Sequence, residues 1–307
     1  MRMSASRVGP RPLRVAALAL LAAMAAMLSA ACRDATLGAG VGRDSSQPTE
    51  NVRSLDASIA PSGKSATDAD ARTDGGENVD EQRLPPLATE AALVSLSVPG
   101  FGDAVVSLPA GARTRKPVMF AVHGNYDSPD FQCGTWRAMV KNRGFILCPR
   151  GVPRPDSPAP DDIRYTYEGR FAPELDAALA ALQQRYGAWI DPGPMIYVGF
   201  SLGAILARGY VMRAPSRFTR MILIEGGASG WDATAMSKAG VARMLWACGQ
   251  SPCVDAGRAA AAAFERAKVA SKVVSAKGAG HTYGGPVADA IRAEWEWLVG
   301  GDPRWSP

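Results

Sequence analysis

Histidine is what this chain has least of: two residues in 307, His123 and His281. With ligands so few and so far apart, no stretch shows metal-ligand spacing, so neither a metal centre nor another cofactor is expected. Blocks of Lys and Arg, or basic residues interleaved with aromatics, are also missing, which argues against nucleic acid as a partner. The formal charge of +5 misleads, because it divides as +4 over residues 1–31, −4 over residues 32–86 and about +5 beyond. No internal repeat is visible. The longest apolar run, Val15 to Leu28, falls short of the roughly 20 residues that span a bilayer.

That run has the form of an export leader. Arg2, Arg7, Arg11 and Arg14 precede it, and small residues lead from it into Cys32. The stretch LSAAC resembles a bacterial lipobox with the leucine one position early, so Cys32 is expected as a lipidated first residue of an exported envelope protein. Ordinary signal-peptidase cleavage and secretion stay open. Five cysteines are present, and lipidation of Cys32 leaves four for an oxidising compartment. Residues 32–86 are rich in Ser, Thr, Asp, Ala and Gly, lack aromatics and show no apolar period. Such a chain cannot bury enough surface to offset its ordering entropy, so a tether is expected there. Its partners would then be a membrane only through the anchor at Cys32, and the protein is expected to be a monomer.

Residues 87–307 are long enough for one substantial core. Apolar β-like runs alternate with helical patterns: ALVSLSV, AVVSLP, PVMFAVHG, GFILCPRG, PMIYVGF, RMILIEGG, VARMLWACG and SKVVSA are the strand candidates. Helical crossovers between short strands predict an α/β fold with a mostly parallel eight-stranded sheet, its site at the strands' C-terminal ends. The long proline-rich stretch from Val152 to Arg170 is placed to border that site.

One stretch organises the rest. Gly199-Phe200-Ser201-Leu202-Gly203 follows an apolar strand and opens a helical run. A serine on so sharp a turn needs small neighbours two residues to either side, and the new helix aims its N–H groups at charge near the serine oxygen. A serine hydroxyl also needs a base, and His281 lies in the glycine-rich loop KGAGHTYGG after a late strand.

HGN after the third strand, GFSLG after the fifth and GAGH after the eighth together resemble the α/β-hydrolase family, over roughly Leu87 to Trp297. The compact secreted esterase branch is most similar, that of feruloyl esterases and polyhydroxyalkanoate depolymerases. The resemblance implies the α/β-hydrolase fold, Ser201 as nucleophile and His281 as base. It also implies an oxyanion hole from the N–H groups of Leu202 and Asn125, with His123 holding its loop. The acid would usually stand three residues past Gly249, but Pro252 is there. Glu225, ending the sixth strand, is the favoured acid; Asp255 is the alternative, equally readable as a helix N-cap, and Asp232 comes third.

Of the three pairings open to the remaining cysteines, the local one is preferred: Cys133 with Cys148, and Cys248 with Cys253. Trp136, Tyr165, Tyr167, Trp231 and Tyr283 are readable as an aromatic-binding cleft or as ordinary packing. The expected function is a serine hydrolase of carboxylic esters. Alternatives are a serine peptidase and a non-catalytic envelope lipoprotein that uses the fold to bind.

Overall fold

The computed structural model describes residues 83–306. The leader, Cys32 and the tether as far as residue 82 lie outside the described residues. All eight strand candidates enter one sheet: β1 (Val94–Leu96), β2 (Ala104–Ser107), β3 (Val118–Val122), β4 (Phe145–Cys148), β7 (Met195–Phe200), β8 (Phe218–Ile224), β9 (Arg243–Cys248) and β10 (Ala270–Ser275). A two-stranded ribbon, β5 (Val152–Pro153) with β6 (Tyr165–Thr166), stands apart from it.

The sheet order is β1-β2-β4-β3-β7-β8-β9-β10. Only the contacts of β2 are antiparallel, to β1 and to β4. All other neighbours are parallel. Counting sheet strands alone, the order is 1-2-4-3-5-6-7-8 with the second strand reversed, which is the α/β-hydrolase topology.

Alternation along each central strand explains why both faces are covered. Val118, Phe120 and Val122 of β3 join one apolar cluster, while Met119 and Ala121 join the other. Likewise Met221 and Leu223 of β8 face one side, and Ile222 and Ile224 the other. Because successive side chains point to opposite faces, a run of apolar residues demands a helical layer on each.

Helices α1 (Pro129–Val140), α2 (Phe171–Tyr186), α3 (Leu202–Val211), α4 (Ala233–Lys238), α5 (Ser251–Arg266), α6 (Gly285–Ala293) and α7 (Trp295–Val299) supply those layers. On one face lie α2, α3 and Phe264 of α5; on the other lie Trp136 of α1, Ile291 of α6 and Leu298 of α7. The first begins at Pro129, just after the loop that follows β3. Ser128 caps it by accepting from the Asp130 N–H, and Pro129 suits the first turn, where its missing N–H costs nothing.

Two disulfides brace this frame. Cys133–Cys148 ties α1 to the end of β4, and Cys248–Cys253 closes the turn from β9 into α5. No helix among the described residues is long and apolar enough to cross a membrane.

Candidate active site

Ser201 occupies the turn between β7 and α3 with φ 48° and ψ −110°. A non-glycine residue rarely adopts that conformation, and its neighbours are what permit it. A Cβ on Gly199 would sit 2.7 Å from the Gly203 carbonyl oxygen, and one on Gly203 would meet the Val122 and His123 carbonyls at 2.5 and 2.7 Å. The Ser201 N–H is pinned to the Ile224 carbonyl at 2.8 Å. Ser201 is therefore held at the C-terminal end of β7 in a strained conformation that two glycines make tolerable.

His281 meets it there. Its Nε2 lies 2.8 Å from Ser201 Oγ, and its Nδ1 lies 3.4 Å from Glu225 Oε2. The imidazole also packs on Phe200, ring centroids 5.0 Å apart. Gly249 lets the histidine loop approach, because any Cβ at that position would collide with the Gly280 carbonyl.

Glu225 is buried, with φ 52° at the end of β8. Its Oε1 accepts from the N–H groups of Gly249 and Gln250, the latter at 3.1 Å. Two backbone donors thus fix one carboxylate oxygen and leave the other toward His281. Both donors belong to the turn that Cys248–Cys253 closes.

Asp255 is not brought to this cluster. It lies inside α5 rather than at its cap, which is Gln250; it is exposed, and its partner is Arg258 at 3.9 Å. A helix beginning at Ser251 carries Asp255 past the first turn and onto the solvent face. Asp232 instead caps α4, accepting from the Ala235 N–H at 2.9 Å.

The loop after β3, whose Gly124 lies against Phe200 and Ser201, carries Asn125. Neither its N–H nor that of Leu202 donates to an acceptor among the described residues. Leu202 is the first residue of α3, so its N–H has no partner within the helix. Tyr126 follows with φ 62°, the third strained non-glycine residue of the site after Ser201 and Glu225. The ribbon steadies this loop: the Tyr165 carbonyl accepts from the Tyr126 N–H at 2.9 Å, and Arg154 donates to Asn125 Oδ1 at 2.9 Å. Arg154 is itself gripped by both oxygens of Asp156 at 2.8 Å. The stretch from Val152 to Arg170 therefore backs the site, as its length suggested, but through Arg154, which sequence reasoning did not single out.

His123 is fully buried. Its ring nitrogens face the carbonyls of Gly124 at 2.7 Å and Arg150 at 2.8 Å, and the ring stacks on Tyr167. Burial lowers its pKa, against the opposing pull of those two carbonyls. These contacts tie it into the loop that follows β3.

The aromatic residues divide toward packing. Trp136 and Tyr167 are core on opposite faces of the sheet, and Tyr165 is buried in the ribbon, edge-on to His123. Trp231 donates to the Gly227 carbonyl, and Tyr283 packs edge-on against Phe200.

No protein-family model matches the chain. The search of curated proteins also finds no match. Among solved structures, the chain is similar to esterase PE8 (20% identity over 67% of this chain and 100% of that one, TM-score 0.48). It is also similar to an esterase of Pyrobaculum calidifontis (16%, 72% and 88%, TM-score 0.46). A hormone-sensitive lipase from a metagenome library is a third (14%, 74% and 89%, TM-score 0.45). The protein adopts the α/β-hydrolase fold, on the evidence of its own sheet order. What it does with that fold has to be argued from the site.

Proposed function

We propose that the protein is a serine hydrolase that cleaves carboxylic esters through an acyl-enzyme. One observation carries the reading: His281 bridges Ser201 Oγ at 2.8 Å and the buried Glu225 carboxylate at 3.4 Å. His281 Nε2 takes the hydroxyl proton as Ser201 Oγ attacks the acyl carbon. Negative charge forms on the carbonyl oxygen, where the N–H groups of Leu202 and Asn125 receive it. The C–O bond to the alcohol then breaks, and His281 returns the proton to the leaving oxygen. Water, deprotonated by His281, attacks the acyl carbon; the C–O bond to Ser201 breaks, His281 returns the proton to Ser201 Oγ, and the acid leaves. Throughout, Glu225 orients the imidazole and stabilises its charged form.

An apolar ester suits the surroundings. The exposed large apolar side chains among the described residues are Tyr126, Phe131, Ile163 and Ile205. Tyr126 adjoins Asn125, and Ile205 is one helical turn beyond Ser201, donating its N–H to the Ser201 carbonyl. Arg164, next to Ile163, lies over the Phe131 ring in the first turn of α1. Labelling by a fluorophosphonate probe tests the reading: wild type labels, and Ser201→Ala and His281→Ala do not. A folded wild type that stays unlabelled removes the enzyme.

Export and lipidation at Cys32 complete the proposal. The two disulfides support an oxidising compartment, since such bridges rarely persist in a reducing one. Cys32→Ala should release the protein from membranes; unchanged membrane association removes the anchor. Sedimentation at two concentrations tests the monomer.

A further inference from the structure

The serine, base and acid leave one connection unaccounted for, between the loop that carries His281 and the loop that carries Asn125. Tyr283, two residues past the histidine, donates its hydroxyl to Asp127 Oδ1 at 3.1 Å across 156 residues of chain. Asp127 is buried and fully engaged. The same Oδ1 accepts from the Ser128 N–H at 2.8 Å, and Oδ2 faces the Gly124 N–H at 3.4 Å. Its backbone pairs with Tyr165, the Tyr165 N–H donating to the Asp127 carbonyl at 2.8 Å. Asp127 is thus rooted in the turn that presents Asn125.

Tyr283 is rooted on the other side. Its ring meets Phe200 at 4.8 Å, and the same Phe200 ring meets His281 at 5.0 Å. Before His281, its loop is tied by the Gly278 N–H to the Gly249 carbonyl at 3.2 Å. After it, the Tyr283 hydroxyl is the side-chain tie to the oxyanion loop. Burial, and then the Asp127 charge, push that hydroxyl far above the usual phenol range, so it remains a donor.

We propose that Tyr283 and Asp127 are positioning residues that lock the His281 loop to the Asn125 loop, fixing the base relative to the oxyanion N–H groups. Neither touches substrate. The inference rests on the hydrolase reading for its kinetic consequence, but not for its structural one. Misplacement of a reacting group by about 1 Å costs on the order of 10²-fold in rate. Removing one hydrogen bond while keeping the ring on Phe200 is a milder loosening.

The test uses the full chain with Tyr283→Phe, Asp127→Asn and Asp127→Ala. Hydrolysis of p-nitrophenyl acetate should lose roughly 10- to 100-fold in kcat in Tyr283→Phe, with KM within about twofold. Asp127→Asn keeps an acceptor oxygen for the phenol and should retain more activity than Asp127→Ala. Imidazole NMR provides the second readout, since only two histidines contribute. The His281 ring signals should shift or broaden in Tyr283→Phe, while those of buried His123 stay in place. Unchanged kcat together with unchanged His281 signals overturns the proposal. A wild type inert toward esters and fluorophosphonate overturns the enzyme reading instead, and the NMR comparison then decides the lock alone. If Asp127→Ala fails to fold, Tyr283→Phe still decides.

Discussion

Glu225 reaches His281 from the end of β8, one strand earlier in the sheet than the turn where the family resemblance would seat an acid. That later turn is not idle: its Gly249 and Gln250 N–H groups grip the Glu225 carboxylate. In the proposed triad, the turn where the resemblance would seat the acid instead anchors it. Glu225→Gln should therefore lower kcat by about 10³–10⁴-fold while the fold survives, because the amide favours the wrong imidazole tautomer. Asp255→Asn, on an exposed helix face, should leave the rate unchanged. Equal losses in the two variants would defeat the assignment.

The disulfides should separate by function. Cys248→Ala/Cys253→Ala loosens the turn that holds Glu225, so kcat should fall along with about 2 kcal/mol of stability. Cys133→Ala/Cys148→Ala opens a bridge of sequence separation 15 and should cost about 3 kcal/mol without changing kcat at temperatures where the protein stays folded. Denaturant melts beside steady-state kinetics would show the contrast. A rate loss confined to the second pair would count against the anchor.

Arg154 is expected to act on the transition state through Asn125. Arg154→Met removes the hydrogen bond to Asn125 Oδ1 but keeps an apolar stem against Tyr126. Loss of an entire oxyanion donor costs 10²–10³-fold in kcat, and a displaced one should cost about tenfold, with KM little altered. A change in KM alone would mean that Arg154 contacts substrate.

Stability should fall on mild acidification. His123 has a folded-state pKa below its ordinary value of 6.5, chiefly through burial. The unfolded chain therefore takes up the proton first, so the stabilising contribution is complete above that value and is lost as pH falls below it. The melting temperature should decline between about pH 7.5 and 5.5, and His281→Ala should show the same decline. A flat profile would mean that His123 is protonated in the fold.

The sheet was legible because its central strands are largely apolar and alternate between two cores, as Val118 to Val122 does. Ser201 and His281 were legible because glycines mark the turns around them. Glu225 was less so: its role depends on φ 52° and on N–H groups from another strand, and neither leaves a residue-type signature. Asp127 and Tyr283 were invisible as a pair, since nothing local joins positions 156 residues apart. The helical pattern from Pro286 to Val299 is interrupted at Glu294, whose φ of −97° and ψ of 1° leave the helical region. The broken end lets Trp295 meet Trp305 edge-on, a tertiary contact that outweighs local propensity.

The His281 side chain is 47% exposed. An acyl group held on Ser201 would accordingly be open to the bulk medium, and the base would activate whichever hydroxyl compound diffuses in. Under the proposed chemistry, alcohols in the medium would compete with water for that acyl group.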